Sequence, residues 1–488
     1  MSRKKVTDYF LYRKRFWIGY GLVLVVLVWL LILAGLYVPA GLTQQEMNSA
    51  IASVGVNLAD YKNLSLVNLP YQLLQQASIN LFGLSEISIK LPSLLLALLS
   101  TVGMVFLLRR WFHHNVAVLA TLLAITTGQF LFIAQNGTAS IMYIFWAVWI
   151  LLVSTMVVRR RGPTLLWKIV LCLLVAMSLY TPLSIYLLVS LAIATIFHPH
   201  LRYVFKRLSK SQLWIAVVAL LALVAPLGWR VYQSPEIGLR LLGIPDKMPD
   251  IVASLSQLAH QYVASPSISD AGFMLPVFGL GTIGLLVLGI IRLATSHYSA
   301  KSYLLFTWVI LLVAVLVFKP VYITVTFIPS LIFIAFGLDF LFRYWYRLFP
   351  KNPYARIAGL FPLGILVCGM ILSGLEIYNY GYHYNPATAK VFTTDLSLVS
   401  NTLRQNPSVD SLVVSRSEYD FYKTFAAKAP DGISVKSSVS IDTQSNSFII
   451  SRAAKEKLNL NGADIKEIIT STTSQQADRF YIYKNTSK

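Results

Sequence analysis

Long apolar runs alternate along the chain with short polar segments. A transmembrane helix needs about 20 mostly apolar residues. Eleven runs approach that length, at 16–38, 88–108, 115–134, 139–158, 165–181, 183–198, 212–230, 272–292, 302–318, 321–342 and 355–376. The pattern therefore predicts an α-helical polytopic membrane domain over residues 1–376, with about 11 transmembrane helices.

Basic residues between the predicted spans indicate the orientation of this domain. With the N-terminus in the cytoplasm, 22 Lys and Arg residues before position 377 fall on the inner side and 6 on the outer side. Cytoplasmic loops of membrane proteins are enriched in Lys and Arg. We therefore expect an integral protein of the plasma (inner) membrane with a cytoplasmic N-terminus.

Two long loops, 39–87 and 231–271, fall on the outer side in this arrangement. The first contains two amphipathic stretches, 42–54 and 70–82, which are too short to span a membrane. Such stretches are typical of helices that lie along the membrane interface. The second loop is also partly apolar, so we expect it to lie against the bilayer.

The composition changes after Glu376. Residues 385–488 alternate helix-like stretches, at 389–403, 417–428 and 452–458, with short β-type runs at 411–415, 433–439, 447–451 and 479–484. This alternation predicts a small C-terminal α/β domain. By the alternation of the spans, the domain lies outside the cytoplasm.

Composition narrows the functional classes. The 488 residues are 56% hydrophobic and 12% charged, against about 25% charged residues in an average soluble domain. This composition excludes a soluble enzyme, a disordered chain and a disulfide scaffold. The net charge of +21 comes mainly from clusters between apolar runs rather than from one basic face. Membrane lipids are therefore expected partners and nucleic acid is not.

Acidic residues are scarce before position 377, and eight of the ten fall on the outer side. A site that uses carboxylate chemistry would therefore face outwards. Glu46 is the best placed of them, because it follows the first span at the start of a predicted interfacial helix. Span interiors are nearly free of ionisable groups, which disfavours the alternative of a lipid or solute transporter.

Local motifs relate this outer face to a known class. They are Gln45-Glu46, Asn68-Leu69-Pro70-Tyr71, Phe82-Gly83-Leu84-Ser85-Glu86 with Lys90-Leu91-Pro92-Ser93, the segment from Ala134 to Ser140, and Lys319-Pro320-x-Tyr322. In this order and spacing, the chain resembles GT-C class membrane glycosyltransferases of the protein O-mannosyltransferase and aminoarabinose-transferase type. The resemblance covers about residues 1–376 and implies a GT-C-like fold.

The resemblance also implies an activity. A sugar would move from a polyprenyl-phosphate donor to an unknown glycan, lipid or protein acceptor at the outer membrane face. It implies that Glu46, with Gln45, is the catalytic element that orients the acceptor or takes its proton. Lys319 and Tyr322 match positions close to the donor phosphate, and Arg230 is a further cation by position. Asn68, Asn136 and Ser140 would line the site.

The chain departs from the family pattern at several of these positions. Gln45 replaces an Asp, Ser140 replaces an acidic residue, and Asn68 stands where the family often has His or Glu. Gln and Ser cannot take a proton at neutral pH. Three alternatives follow: Glu46 suffices, Asp60 or Glu86 substitutes for the missing acid, or the protein is a non-catalytic relative. Such a relative would bind lipid-linked glycan or scaffold an envelope complex.

No cofactor is predicted from the motifs. The seven histidines form no HExxH pattern and no carboxylate-flanked pair, and the GxGxxG letters at Gly279, Gly281 and Gly284 lie inside an apolar run. Small residues in a span favour helix packing rather than phosphate binding. The resemblance leaves a divalent metal open, without a predicted ligand set.

Overall fold

We analysed the protein as a computed structural model. The structure describes residues 10–37, 41–57, 65–159, 164–207, 210–245, 248–263, 267–269, 272–274, 278–296, 299–349, 354, 358, 360–380, 395–406, 409, 411–428, 433–437, 447–456, 463–470 and 478–485.

Helices make up most of the membrane domain. In chain order they are α1 (Phe10–Tyr37), α2 (Gln44–Val54), α3 (Leu69–Phe82), α4 (Glu86–Trp111), α5 (His114–Ile125), α6 (Gly128–Gln135), α7 (Ile141–Arg159), α8 (Thr164–Ser178), α9 (Ser184–Phe197), α10 (Pro199–Lys206), α11 (Lys210–Gln233), α12 (Pro235–Leu242), α13 (Ile251–Val263), α14 (Leu280–Ala294), α15 (Ala300–Leu316), α16 (Phe327–Leu348) and α17 (Leu360–Asn379). A hairpin of β1 (Ser267–Ser269) and β2 (Gly272–Met274) precedes α14, and a 3₁₀ helix, Pro320–Thr326, leads into α16.

An apolar helix lies at each of the predicted spans. Among the described residues, five helical stretches are long and apolar enough to cross a membrane, and the number is seven if each of two bent pairs is one span. The predicted number of about 11 is therefore not confirmed. The predicted start of the eighth span, at residue 272, is wrong because 272–274 form a strand and the helix begins at Leu280.

The third predicted span is broken rather than continuous. Helices α5 and α6 meet at an angle of 63°. At the break, the hydroxyls of Thr126 and Thr127 donate to carbonyls of the preceding helix, and α17 packs closely on this backbone. A Cβ atom on Gly374 would lie 2.4 Å from the Thr126 carbonyl oxygen, so only glycine permits this approach.

The helical bundle has two chemically different ends. At one end the Lys301 ammonium donates to the Trp111 carbonyl oxygen at 3.0 Å and lies 5.2 Å from the centroids of the Trp111 and Phe112 rings. The opposite end carries α2, α3, α12 and the 3₁₀ helix. Helix α4 begins near Glu46, which lies beside Lys90, and ends at Trp111. Helix α15 begins beside Trp111, at Lys301, and runs towards Lys319. Glu46 and Lys319 therefore both lie at this second end.

The C-terminal domain contains one mixed five-stranded sheet. Its elements are α18 (Asp395–Gln405), β3 (Ser411–Val414), α19 (Tyr419–Lys428), β4 (Ser434–Ser437), β5 (Ser447–Ser451), α20 (Arg452–Lys455), β6 (Ala463–Thr470) and β7 (Asp478–Asn485). The strand order is β4-β3-β5-β7-β6, with β3 parallel to both neighbours and β7 antiparallel to both of its own. Strand β6 was not predicted, whereas the other strands lie where they were predicted; the first residues of the predicted helix 389–403, up to 394, lie outside the described residues.

The two domains share a hydrophobic core. Leu42, Met47 and Ile89 of the membrane domain are buried in the same cluster as Phe421 and Ile482 of the C-terminal domain. A hydrogen bond from the Gln44 side chain to the Ser417 carbonyl oxygen, at 3.4 Å, lies at the edge of this contact. The C-terminal domain therefore packs directly on the interfacial helices.

Candidate functional site

The carboxylate of Glu46 is held at the first turn of α2. Thr43 is the N-cap: its side chain accepts a hydrogen bond from the Glu46 backbone N–H, while its own N–H donates to Glu46 Oε2 at 2.7 Å. This reciprocal arrangement is a capping box, for which a Thr and a Glu three residues later are well suited. It fixes the direction of the Glu46 side chain, whose residue is fully buried (0% exposed).

The second carboxylate oxygen of Glu46 reaches across the fold. Glu46 Oε1 accepts a hydrogen bond of 2.7 Å from the backbone N–H of Gly137, and the Lys90 ammonium lies 3.8 Å away. Lys90 also donates to the Gly41 carbonyl oxygen at 2.7 Å. Charge-assisted bonds of this kind stabilise a buried carboxylate. Each oxygen of Glu46 thus already accepts one internal hydrogen bond.

Gln75 of α3 binds the carbonyl group of the same glycine, Gly137. Its Nε2 donates to the carbonyl oxygens of Gly137, at 2.9 Å, and of Ile89, at 3.0 Å. Its Oε1 accepts from the hydroxyls of Ser49 and Ser53. All the hydrogen-bonding capacity of this fully buried amide is therefore used, and one side chain connects α2, α3, α4 and the segment 136–140.

A third link joins α3 to the segment 136–140. The Tyr71 hydroxyl and Ser93 Oγ are 2.8 Å apart, and Ser93 Oγ donates to the Asn136 carbonyl oxygen at 2.6 Å. Burial raises the pKa of the Tyr71 phenol above its usual value, with the neighbouring Glu46 carboxylate acting in the same direction and the Ser93 hydrogen bond opposing it. Tyr71 therefore stays neutral and available as a donor at physiological pH.

The predicted lining residues surround this network to different degrees. Asn136 is 9% exposed and Ser140 is half-buried, with its hydroxyl 3.0 Å from that of Thr138. Asn68 adopts a left-handed backbone conformation (φ 61°) before α3, and its N–H donates to the Tyr180 carbonyl oxygen. Gln45 is exposed, so it and Glu46 point in different directions from α2.

Three side-chain amide oxygens in this region lack a hydrogen-bond donor among the described residues. Asn68 Oδ1, Gln72 Oε1 and Asn136 Oδ1 are buried and accept no hydrogen bond from the described residues. An unsatisfied buried polar group costs about 1–3 kcal/mol, so native structures rarely leave one without a partner. These acceptors indicate places where a ligand group or water completes the structure.

The predicted phosphate-binding residues form a neighbouring group at the same end. Tyr322, in the 3₁₀ helix after Lys319, packs edge-to-face on Tyr143 with 6.2 Å between ring centroids. The exposed Arg240 of α12 interacts electrostatically with Tyr322. Lys319 is half-buried and forms no ion pair within the described part of the chain. Tyr143 follows Gly137 by six residues in the sequence. This short stretch of chain links the group around Tyr322 to the Glu46 network.

Arg230 lies near the C-terminal end of α11, beside the apolar cluster that contains Leu227 and Val231. Its Nε is buried and has no hydrogen-bond partner among the described residues. No electrostatic interaction between Arg230 and Tyr322 is described, whereas Arg240 has such an interaction, without a described direct contact. Arg240 is therefore the cation that sequence reasoning missed, and nothing in its local sequence marks it.

The described residues of the site do not form a ligand set for a divalent metal. Within the described residues, no group of three or more His, Cys, Asp or Glu side chains could hold a metal ion. Donors already occupy both oxygens of Glu46, and the Lys90 ammonium stands beside them. Divalent cations such as Mg²⁺ and Ca²⁺ require several oxygen ligands. Of the two substitute acids, Glu86 is the first residue of α4, where Ser397 donates to it at 3.5 Å, and Asp60 lies outside the described residues.

Sequence reasoning missed the supporting residues. Gln75, Ser93 and Tyr71 act through contacts that are 14 to 62 residues distant in sequence. The Thr43-x-x-Glu46 pattern was the available signal, because it is a capping box that predicts a fixed rather than a free carboxylate.

Comparison with known proteins relates this arrangement to characterised transferases. Residues 69–229 match the family model described as dolichyl-phosphate-mannose-protein mannosyltransferase. The structure is similar to ArnT from Cupriavidus metallidurans bound to undecaprenyl phosphate, with a TM-score of 0.53, 13% identity, and coverage of 97% of this chain and 98% of ArnT. The chain has the GT-C glycosyltransferase fold. The resemblance inferred from its motifs is thereby confirmed.

Archaeal oligosaccharyltransferases share this GT-C fold. The structure of the Archaeoglobus fulgidus enzyme tethered to an acceptor peptide gives a TM-score of 0.53 at 12% identity. The alignment covers 87% of this chain but only 64% of that enzyme. AglB from the same organism, in complex with an inhibitory peptide and a dolichol-phosphate, gives 0.52 at 12% identity, with 87% and 65% covered. The chain thus spans about two thirds of the oligosaccharyltransferases. No match was found among curated proteins.

Proposed function

We propose that this protein is a membrane glycosyltransferase that moves a sugar from a polyprenyl-phosphate donor to an acceptor at the outer face of the membrane. The observation that carries the proposal is the likeness, over 97% of the chain, to an ArnT structure bound to undecaprenyl phosphate. The Lys319, Tyr322 and Arg240 group adds chemistry suited to a lipid phosphate.

The transfer forms one bond and breaks another. The acceptor nucleophile bonds to the anomeric carbon, and the bond from that carbon to the phosphate oxygen breaks, with the electron pair staying on the phosphate. The acceptor gives up its proton. Negative charge develops on the leaving phosphate, so cations fixed nearby stabilise the transition state. Lys319 and Arg240 would supply this charge, with Arg230 as a further cation, and Tyr322 would donate a hydrogen bond.

The Glu46 network would form the side of the site where the transferred sugar meets the acceptor. Gln45 is exposed beside it, and Asn68, Asn136 and Ser140 lie around it. The acceptor is a glycan, lipid or protein, and membrane lipids surround the bundle. The excess of Lys and Arg at the other end of the spans supports an outward-facing site, a cytoplasmic N-terminus and an inner-membrane location.

Reconstituted protein tests the proposal directly. We expect wild-type protein in liposomes to consume a polyprenyl-phosphate sugar and release polyprenyl phosphate. Lys319→Ala should lower kcat/KM for the donor at least tenfold, because a cation that stabilises the charge on the leaving phosphate is lost. Lys206→Ala, an exposed lysine of α10, is the matched control and should behave as wild type. No turnover with any of several sugars and acceptors would contradict the proposal.

A second candidate is favoured by one observation. Both oxygens of Glu46 are engaged by internal donors, and Gln45 and Ser140 stand where acids are expected. A non-catalytic relative that binds lipid-linked glycan or scaffolds an envelope complex would fit this geometry. It predicts saturable binding of polyprenyl-phosphate sugar without turnover, which the same liposomes can measure.

A further inference from the structure

Gly137 is held through both of its backbone polar groups. Its N–H donates to Glu46 Oε1 at 2.7 Å, and its carbonyl oxygen accepts from Gln75 Nε2 at 2.9 Å. The adjacent Asn136 carbonyl oxygen accepts from Ser93 Oγ at 2.6 Å. Three buried side chains from three helices therefore fix two consecutive peptide groups. We refer to Glu46, Gln75 and Ser93 as the clamp.

The clamp leaves no space at its centre. A Cβ atom built on Gly137 would lie 2.8 Å from Ile89 Cγ2, 3.1 Å from the Ile89 carbonyl oxygen and 3.3 Å from Glu46 Oε1. Contacts this short force a neighbour to move. The position therefore requires glycine for its close approach rather than for its backbone angles.

The held segment carries an unpartnered amide. Asn136 is nine-tenths buried, yet its Oδ1 accepts no hydrogen bond from the described residues. The preceding Gln135 accepts from the Tyr378 hydroxyl, but its Nε2 has no partner among the described residues. An acceptor and a donor are thus left open on adjacent residues. A hydroxyl group is suited to either atom, because it can donate and accept.

We propose that Glu46 is a positioning residue: with Gln75 and Ser93 it holds Gly137 so that the carboxamides of Gln135 and Asn136 bind a hydroxyl group of the transferred sugar. This assignment rests on the proposed function, because the sugar is that of the lipid-linked donor. It gives Glu46 a role through Gly137 rather than through proton transfer. Gln75, which cannot titrate, then matters as much as Glu46.

Chemical labelling tests the clamp without reference to activity. Ser140→Cys, in full-length protein whose Cys172 and Cys368 are replaced by Ala, reports on the segment through its rate of reaction with a maleimide. Glu46→Gln and Gln75→Leu should each raise this rate at least tenfold, since local opening exposes the segment. Asn48→Ala, an exposed substitution on the same helix, should leave the rate unchanged. Unaltered labelling in both clamp variants would overturn the proposal.

Steady-state kinetics then separates positioning from proton transfer. If Glu46 positions, Glu46→Gln and Gln75→Leu reduce kcat/KM by similar factors, about 10 to 100, and the pH profile keeps its shape. If Glu46 is the base, Glu46→Gln abolishes transfer and Gln75→Leu stays near wild type, which would reject the positioning role. Asn136→Ala should raise the donor KM about tenfold, while Cys at position 140 should react with maleimide as fast as in the protein that keeps Asn136. An unchanged KM would remove Asn136 from the proposal.

The two assays also keep the proposals apart. Wild-type protein that binds or turns over no lipid-linked sugar would reject the proposed function, whereas the labelling result would still support or reject the clamp. Wild-type turnover combined with unaltered labelling would reject the clamp alone.

Discussion

Glu46 and Glu418 are both buried glutamates in this molecule, but they sit in different surroundings. Glu418, after β3, accepts hydrogen bonds of 3.0 Å from the Ser415 and Ser451 hydroxyls, and its other oxygen lies 3.4 Å from the Arg479 guanidinium. Glu46 is bonded instead to two backbone N–H groups, with Lys90 at 3.8 Å. Burial of a carboxylate therefore does not by itself distinguish a site from a structural contact.

The hydrogen bonding of the polar groups around each glutamate distinguishes a site from a structural contact. Among the described residues, the buried side-chain N and O atoms without a hydrogen-bond partner all belong to positions 68–308, and none belongs to the C-terminal domain. Polar groups near Glu418 are satisfied internally. Those near Glu46 include the open acceptors of Asn136 and Asn68. Incomplete satisfaction, rather than burial, points to the membrane domain as the place where a ligand binds.

The largest effect on stability is expected for Glu418→Ala. It would remove two hydrogen bonds, from the Ser415 and Ser451 hydroxyls, and the ion pair with the partly buried Arg479, at a cost of about 3 kcal/mol. Hydrogen exchange of strands β3, β5 and β7 in the full-length protein measures this loss. The exposed Glu456, which pairs with Arg452, is the control, and Glu456→Ala should cost less than about 0.5 kcal/mol. Equal effects would show that Glu418 adds nothing to the sheet.

A smaller effect on stability is expected for Gly137→Ala. The added methyl group would clash with Ile89, and overpacking of this kind costs about 1–3 kcal/mol. The thermal unfolding midpoint in detergent should fall, and donor turnover should fall more than stability because the clamp is displaced. At Gly55, a Cβ atom meets only ordinary contacts, so Gly55→Ala should change neither quantity. A tolerant Gly137 would mean that the segment has other packed positions.

The smallest effect is expected for Gln44→Ala at the contact between the domains. Its hydrogen bond to the Ser417 carbonyl oxygen is long, at 3.4 Å, and exposed. Removing it should change the unfolding free energy by less than about 0.5 kcal/mol. A substantially larger loss, measured by thermal unfolding, would show that polar edge contacts rather than the shared hydrophobic core hold the domains together.

The sequence predicted elements better than their contacts. Interfacial stretches 42–54 and 70–82 correspond to α2 and α3, because amphipathic spacing is a local property. Strand β6 was missed because Asp464, Lys466 and Glu467 interrupt its apolar alternation, which is tolerated at the sheet edge where only β7 pairs with it. The bond from Glu46 to Gly137 joins residues 91 positions apart, and no local pattern encodes such a contact.

The core shared by the domains has a consequence for the order in which the protein matures. Leu42 and Met47 belong to the same buried hydrophobic cluster as Phe480 and Ile482 of the last strand. During synthesis, the N-terminal interfacial helices reach the membrane surface long before strand β7 exists. The packing of this shared cluster can therefore be completed only after strand β7 has been translated.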